Sequence, residues 1–432
     1  MHLFAIAIAA VFAAASPDAR LGFSEGLEGK LRVEDPKGTV VLEMDKRPGA
    51  AVEVSLPPGA YTVHRTGPAC EEAVAAVSLE SGGHREVAPV DFAAAPEVRT
   101  ALGVSPRTGA LRGAALGVVS TQVDGEARWV QASLLRNAAA GALLGTQVSL
   151  GMNAADGPME GVQFSSVFNR ADGAVTGAQL AVGVNLAGGP IRGLQLGGVF
   201  NSAQAASIGI QASAGLNMAP GGIIGLQMGG VANWAESLRG GQAALFNVAG
   251  DATGMQLGVV NVAKRITGFQ FGLVNVADEA RGVPFGLVNV IRDGQMHLEV
   301  FGSDLQPVNV ALKSGSRHFF TTLMVGGGRS GHYLYGFGAG VHLGGNLLWL
   351  DTDLVSTTTL DVQRPLEHTN IGGHLRALGG LQLGPVGLFA GPTVNVLVPL
   401  RNDRVITGSY LAPRLLLGPV QVWPGAQVGV RL

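Results

Sequence analysis

Eleven asparagines recur in register through the middle of the chain, and an amide is the side chain that can both donate and accept along a stack of identical neighbours. They stand at Asn137, Asn153, Asn169, Asn185, Asn201, Asn217 and Asn233, 16 residues apart, then at Asn247, Asn261, Asn275 and Asn289, 14 apart. Gln131, Gln147, Gln163, Gln179, Gln195, Gln211 and Gln227 each precede their asparagine by six residues. Gln242, Gln256 and Gln270 precede theirs by five, and Pro284 takes that place in the last unit. If successive units stack about 4.8 Å apart, every amide can hydrogen-bond the equivalent amide above and below, which is a structural ladder and not a reactive centre. A row of amides decorating a solvent face is the alternative. No carboxylate lies among the aligned positions, which argues against a cation site on the ladder.

Other residues with chemical potential do not assemble into a site. Asp351 and Asp353 are two apart on one face of an alternating segment, as an acid–base pair could be, but a solvated or lumen-facing strand explains them equally well. His297, His318, His332, His342, His368 and His374 lack the i, i+4 spacing of a zinc-binding helix. The run from Gly326 to Gly331 lacks the Lys-Ser/Thr ending of a phosphate loop and reads as a hairpin turn. No G-x-S-x-G elbow occurs, and Cys70, the single cysteine, reads as a small buried apolar residue. The expectation is a protein without catalytic residues, metal or cofactor, and not an enzyme.

The change of period indicates which elements carry the amides. When the period falls from 16 to 14, one residue is lost between Gln and Asn and one between Asn and the next Gln. In a meander of single strands, losing one residue between Gln and Asn would throw them onto opposite faces. In a two-cornered coil, one residue disappears from each corner. The repeats therefore predict a β-solenoid over 113–296, each coil holding a short strand centred on Gln, a corner, a short strand centred on Asn and a second corner. Asp172, Arg192, Glu236, Asp251, Lys264, Arg265, Asp278, Glu279 and Arg281 mark that second corner. The segment 113–121 fits the frame without either amide and reads as an N-terminal cap. The rival architecture makes the repeats strands of one large channel with an amide-lined lumen.

The flanks differ in texture. Short alternating runs over 22–93, broken by Gly, Pro and Asp, predict a small β-sandwich, and 94–112 reads as a linker. From 297 to 432 longer segments alternate; in 333–343, Tyr333, Tyr335, Phe337, Ala339, Val341 and Leu343 share one face, and Gly336, Gly338, Gly340 and His342 the other. Eight or nine such segments, apolar on one face and Gly-rich or polar on the other, suit a small outer-membrane-type barrel. A soluble antiparallel sheet packed on the solenoid is the alternative. Residues 3–15 are an apolar run followed by Ala13-Ala14-Ala15, which predicts a signal peptide over 1–16 and export.

Composition agrees. Hydrophobic residues make up 47% and charged residues 14%, yet no run of about 18 apolar residues follows the N-terminus, which excludes a helical membrane protein. With a net charge of −2 and no Lys/Arg cluster, nucleic-acid binding is not expected. The predicted class is all-β: an N-terminal β-sandwich, a central β-solenoid of 14–16-residue repeats, and a C-terminal antiparallel sheet or small outer-membrane-type barrel.

Two resemblances sharpen this reading. The segment Leu56-Pro57-Pro58-Gly59-Ala60-Tyr61 resembles PEGA-like modules, which implies a spacer or adhesive unit. Gly-Leu-Gln-Leu-Gly-Gly-Val-Phe-Asn at 193–201 and Gly-Phe-Gln-Phe-Gly-Leu-Val-Asn at 268–275 resemble the short surface repeats of a family of bacterial envelope proteins, a similarity covering about 113–296. That resemblance implies outer-membrane or cell-surface placement, with the outer membrane and some surface ligand or envelope protein as partners, and implies no reaction. The expected role is display, adhesion or envelope structure.

Overall fold

The computed structural model describes residues 18–66, 72–94, 97–329, 332–345, 347–361, 369–399, 415–418 and 420–432. The expected signal peptide, Cys70 and His368 lie outside these residues. The described residues are all-β apart from one short 3-10 turn, Pro89–Asp91, and the chain forms two compact units divided between Ala214 and Gly215.

The first unit opens with two facing sheets. One has the order Val52–Leu56, Ala19–Phe23, His84–Val87; the other runs Val40–Lys46, Gly29–Glu34, Gly59–Thr66, Glu72–Leu79, Ala93–Ala94. Alternation puts Leu21, Phe23, Leu31, Val33 and Val63 into the shared core with no exposed surface. The Tyr61 hydroxyl donates to the Pro57 carbonyl at 2.8 Å, bracing the turn by which the chain passes from Val52–Leu56 in one sheet to Gly59–Thr66 in the other; the two strands do not pair as a hairpin.

The stretch read as a linker is not one. Glu97–Gly103 pairs in parallel with Ala110–Gly117, and Arg107–Thr108 with Ser120–Val123, so coiling begins inside 94–112. These residues supply backbone ladder bonds without amide side chains. From residue 127 to residue 213 each 16-residue coil has a seven-residue strand holding Gln and a four-residue strand holding Asn, as in Leu143–Ser149 and Met152–Ala155. Successive coils pair in parallel and in register, Gln147 against Gln163 and Asn153 against Asn169. The repeats are therefore solenoid coils and not barrel strands. Inside, Leu143, Met159, Val175 and Ile191 stack in one row and Ala139, Ala155, Ala171 and Ala187 in another.

Charged residues tie the sandwich to the first coils. Arg32 and Arg107 each reach Asp124 at 2.8 Å, Arg107 lies 3.2 Å from Glu34, and His64 lies 3.4 Å from Glu34. Burial and the Arg32 charge push His64 below its ordinary 6.5. Burial alone would raise Asp124, but hydrogen bonds and charge from Arg32 and Arg107 prevail and hold it below 3.8. Both folded-state values are depressed. Their stabilising contribution is complete above pH 6.5 for His64 and above 3.8 for Asp124, and each is lost as pH falls through the depressed value. With the pH dependence of intrinsic exchange divided out, the protection factors of 97–103 are expected to fall in two stages on acidification; protection that holds or grows below pH 6.5 would sink this assignment.

In the second unit the coils begin with Leu216–Ala219 and Ile223–Gly229 and then change form. Ala232–Ala243, Phe246–Leu257, Val260–Phe271 and Val274–Phe285 are single strands of 12 residues running from each Asn through the next Gln or, in the last, through Pro284. The second corner, expected as a turn in every coil, shrinks here to one unpaired position: the ladder steps from Ala235/Ala249 to Ser237/Asp251. Removing a residue from this corner leaves too little chain for a separate turn.

The last coil, ending in Val288–Ile291, is followed by eight antiparallel strands: Gln295–Ser303, Val308–Gly315, Phe319–Arg329, His332–Gly344, Leu348–Asp361, Thr369–Leu383, Val386–Pro399 and Val420–Arg431. The first pairs with the last, Glu299 opposite Arg431 and Phe301 opposite Gly429, so the sheet closes into a barrel. Gly326 to Arg329 belong to a strand rather than a turn, and Ser330 and Gly331 lie outside the described residues.

Candidate functional site

Two features of the fold could carry function: the amide-bearing corner of the coils and the two faces of the barrel wall. At the corner, every Gln and Asn named from the sequence is at most 1% exposed. The amides do not decorate a solvent face. In the first unit Gln147, Gln163, Gln179, Gln195 and Gln211 each donate to the glutamine of the preceding coil at 2.7–2.9 Å, starting from Gln131 as acceptor. Asn137, Asn153, Asn169 and Asn185 donate the other way, toward the following coil and finally to Asn201, at 2.8–2.9 Å. In the second unit Gln242, Gln256 and Gln270 donate backward, beginning at Gln227, at 2.8–2.9 Å. Asn217, Asn233, Asn247, Asn261 and Asn275 donate forward, ending at Asn289, at 2.8–3.0 Å. Two amide ladders thus run side by side with opposed polarity.

From Asn137 to Asn261 the second N–H of each asparagine satisfies a corner carbonyl. Asn153 Nδ2 donates to Phe164 O at 2.7 Å, and Asn247 Nδ2 to Leu257 O at 2.7 Å. Polar groups left unpaired in such an interior would cost about 1–3 kcal/mol each, so the repeated amides are what permits a tight, dry corner. The ladder ends on hydroxyls, which sequence reasoning missed. Thr121 Oγ1 donates to Asn137 Oδ1 at 2.7 Å, and Asn289 Nδ2 donates to Thr321 Oγ1 at 2.7 Å and to Ser314 O at 3.1 Å on the barrel. The glutamine ladder stops where Pro284 takes the next position, with Gln270 Oε1 buried and without a donor.

Outside this polar interior the same corner is apolar. Leu245, Phe246, Val259, Phe271 and Leu273 are each at least 40% exposed, whereas the charged residues sit at the far corner, where Arg265 reaches back to Asp251 at 2.9 Å. A cavity of about 390 Å³ lies among these charges, lined by Asp251, Arg265, Glu279 and Arg281.

The barrel is likewise inverted. Its inward positions hold Lys313, Arg376 and Arg431 with Glu299, Asp351 and Asp353, all at most 2% exposed. Lys313 Nζ lies 2.9 Å from Asp351 and 3.3 Å from Glu299; Arg376 clasps Asp353 with two bonds of 2.6 and 2.7 Å; Arg431 donates to Glu299 at 2.9 Å and also bonds Asp351. His342 Nδ1 lies 2.6 Å from Asp351, and the Arg431 guanidinium stacks 3.5 Å from the Trp349 ring. Three cations therefore meet three carboxylates in one cluster, while a fourth buried carboxylate, Asp304, accepts from Trp423 Nε1 at 2.6 Å and Asn395 Nδ2 at 3.3 Å. Asp351 and Asp353, considered above as an acid–base pair, are each locked by cations from other strands. Deeper in the lumen His374 bridges Thr357 and Asn395 at 2.6 and 2.8 Å, beside a cavity of only about 10 Å³. No group of three His, Cys, Asp or Glu suited to a metal occurs among the described residues.

Outward positions of the barrel strands carry Leu298, Val300, Val325, Tyr333, Tyr335, Leu354, Leu375, Leu388, Val394 and Val428, each more than 36% exposed. Among the strand residues whose side chains are described, alternation places no charged residue on this wall. No helix among the described residues is long and apolar enough to cross a membrane. Neither the family models nor the curated protein sequences and solved structures compared with this chain gave a match.

Proposed function

We propose that the chain is a non-enzymatic protein of the bacterial cell envelope, exported and anchored in the outer membrane by its C-terminal barrel. The observation that carries this reading is the inverted wall: ion pairs inside, uncharged apolar side chains outside, on eight closed strands. In water such a wall would leave an apolar patch far larger than soluble monomers tolerate. The resemblance of the repeats to envelope surface repeats, and of the Leu-Pro-Pro-Gly-x-Tyr segment to PEGA-like spacers, supports the same location and the role of a structural or adhesive array.

The filled lumen speaks against the channel reading, since Arg376, Arg431 and Lys313 occupy it with their carboxylate partners. Connection lengths favour an orientation. At one end three, three and two residues separate successive strands (Gly315 from Phe319, Gly344 from Leu348, Leu383 from Val386), whereas at the other seven separate Asp361 from Thr369 and 20 separate Pro399 from Val420. Outer-membrane barrels turn their short loops to the periplasm. The short-turn end also holds the last coil, through Ser316 Oγ to Gly282 O at 3.0 Å. On this reading the coils near the barrel serve envelope structure from the periplasmic side.

Fractionation of bacteria expressing the chain tests the proposal. The protein is expected in the outer-membrane fraction after alkaline carbonate washing, and without conductance in planar bilayers. Recovery in the soluble fraction would overturn the anchoring, and steady conductance would reinstate the channel.

A further inference from the structure

Anchoring by the barrel leaves the apolar corner of residues 215–291 unexplained. We propose that this corner lies in the same bilayer as the barrel wall, so that lipid covers the turn between Gln and Asn and the side chains flanking it. The proposal rests on the barrel being inserted in the membrane.

Continuity with that wall is the first support. Phe271 stacks on Phe285 at 5.5 Å and 4°, and Phe285 meets Phe337 edge to face at 5.4 Å. Phe337 stands on the outward face of the barrel strand His332–Gly344, so one apolar surface runs from coil corner to barrel wall. Whatever covers Phe337 covers the coil beside it.

Charge is the second. The windows 225–235, 240–249, 254–263, 268–277 and 282–291 contain no charged residue, and the charges of these coils lie outside them. The turn row Leu245, Val259, Leu273 and Leu287 is 40–52% exposed. Hydrogen bonding is the third. Lipid contact requires that backbone polar groups be paired internally, and Asn247 and Asn261 donate to the corner carbonyls of Leu257 and Phe271 at 2.7 and 2.9 Å. A corner built for water would not need buried amides to satisfy it.

The test uses the full chain with Cys70→Ala and one new cysteine, labelled with nitrobenzoxadiazole. The protein is reconstituted in phosphatidylethanolamine and phosphatidylglycerol vesicles whose acyl chains carry doxyl quenchers. Leu273→Cys and Leu245→Cys report the corner, Val394→Cys the barrel wall and Arg265→Cys the charged corner. Loss of fluorescence at 245, 273 and 394, with none at 265, is the expected result. Quenching at 394 alone would overturn the lipid-facing corner and leave the barrel anchor standing. Absence of quenching at 394 would overturn the anchor and with it a shared bilayer, and equal quenching at 265 would also refute a lipid-facing corner. The two corner labels guard against a local folding defect in either variant.

Discussion

Replacing Gly268 with valine is expected to open the coils on either side of it and to cost about 3 kcal/mol or more. Gly268 has φ of +135°, and a Cβ built there would sit 2.1 Å from the Gly254 carbonyl oxygen. That oxygen belongs to the backbone of the coil below and cannot withdraw without breaking the parallel pairing of Gly254 with Gly268. The penalty therefore combines overpacking, about 1–3 kcal/mol, with a left-handed conformation that an L side chain adopts only at a further 1–2 kcal/mol or so. Gly241→Ala is the control. Its Cβ would meet only the end of the Leu226 side chain, at 3.0 Å, and its φ is not positive. Denaturant midpoints should separate the two variants widely; equal midpoints would mean that close stacking of the glycine row does not hold the coils together.

The deletion with the larger consequence is the shorter one. Removing 254–267 takes out one whole 14-residue coil and joins Thr253 to Gly268, which leaves Asn247 nine residues before Gln270 and restores the native spacing. Gln270 can then donate to Gln242, and Asn247 to Asn275, so neighbours re-stack at the cost of one coil interface. Removing only 254–260 joins Thr253 to Asn261 and eliminates Gln256. Asn261 would then stand where Gly254 stood, Ala263 where Gln256 stood and Ile266 at the turn position of Val259, so strands and corners fall half a coil out of step with the coil below. Several buried amides would lose partners at about 1–3 kcal/mol each. Thermal melts should show the 14-residue deletion close to the parent and the seven-residue deletion without a cooperative solenoid transition. Equal stability of the two would refute the coil.

The solenoid was legible because its ladder demands the same residue type in every coil, so chemistry and period reinforce each other. Where another residue fills the position, the signal vanishes. Thr121 terminates the asparagine ladder with a hydroxyl, and Glu97–Gly103 joins the coils through backbone bonds alone, inside a stretch that reads as a linker. The one-residue losses at 14-residue spacing were visible, but whether a shortened corner keeps its turn depends on strand continuity that composition does not encode; charges at 278–281 mark a corner equally well with or without one. In the barrel, alternation revealed which face is apolar. The interior cluster was hidden because Lys313, Arg376 and Arg431 are single cations in separate apolar segments. They meet Glu299, Asp351 and Asp353 only when the strand Gln295–Ser303 closes against Val420–Arg431, across more than a hundred residues.

The central claim is that the uncharged outer wall of the barrel faces lipid. Electrophoretic mobility of the vesicle-reconstituted full chain, run unheated and after boiling, tests it directly, because a lipid-embedded closed barrel stays folded in detergent until it is heated. Two distinct mobilities, with the faster unheated band remaining with the vesicles through an alkaline wash, are predicted. A single mobility with the protein released by the wash would contradict it.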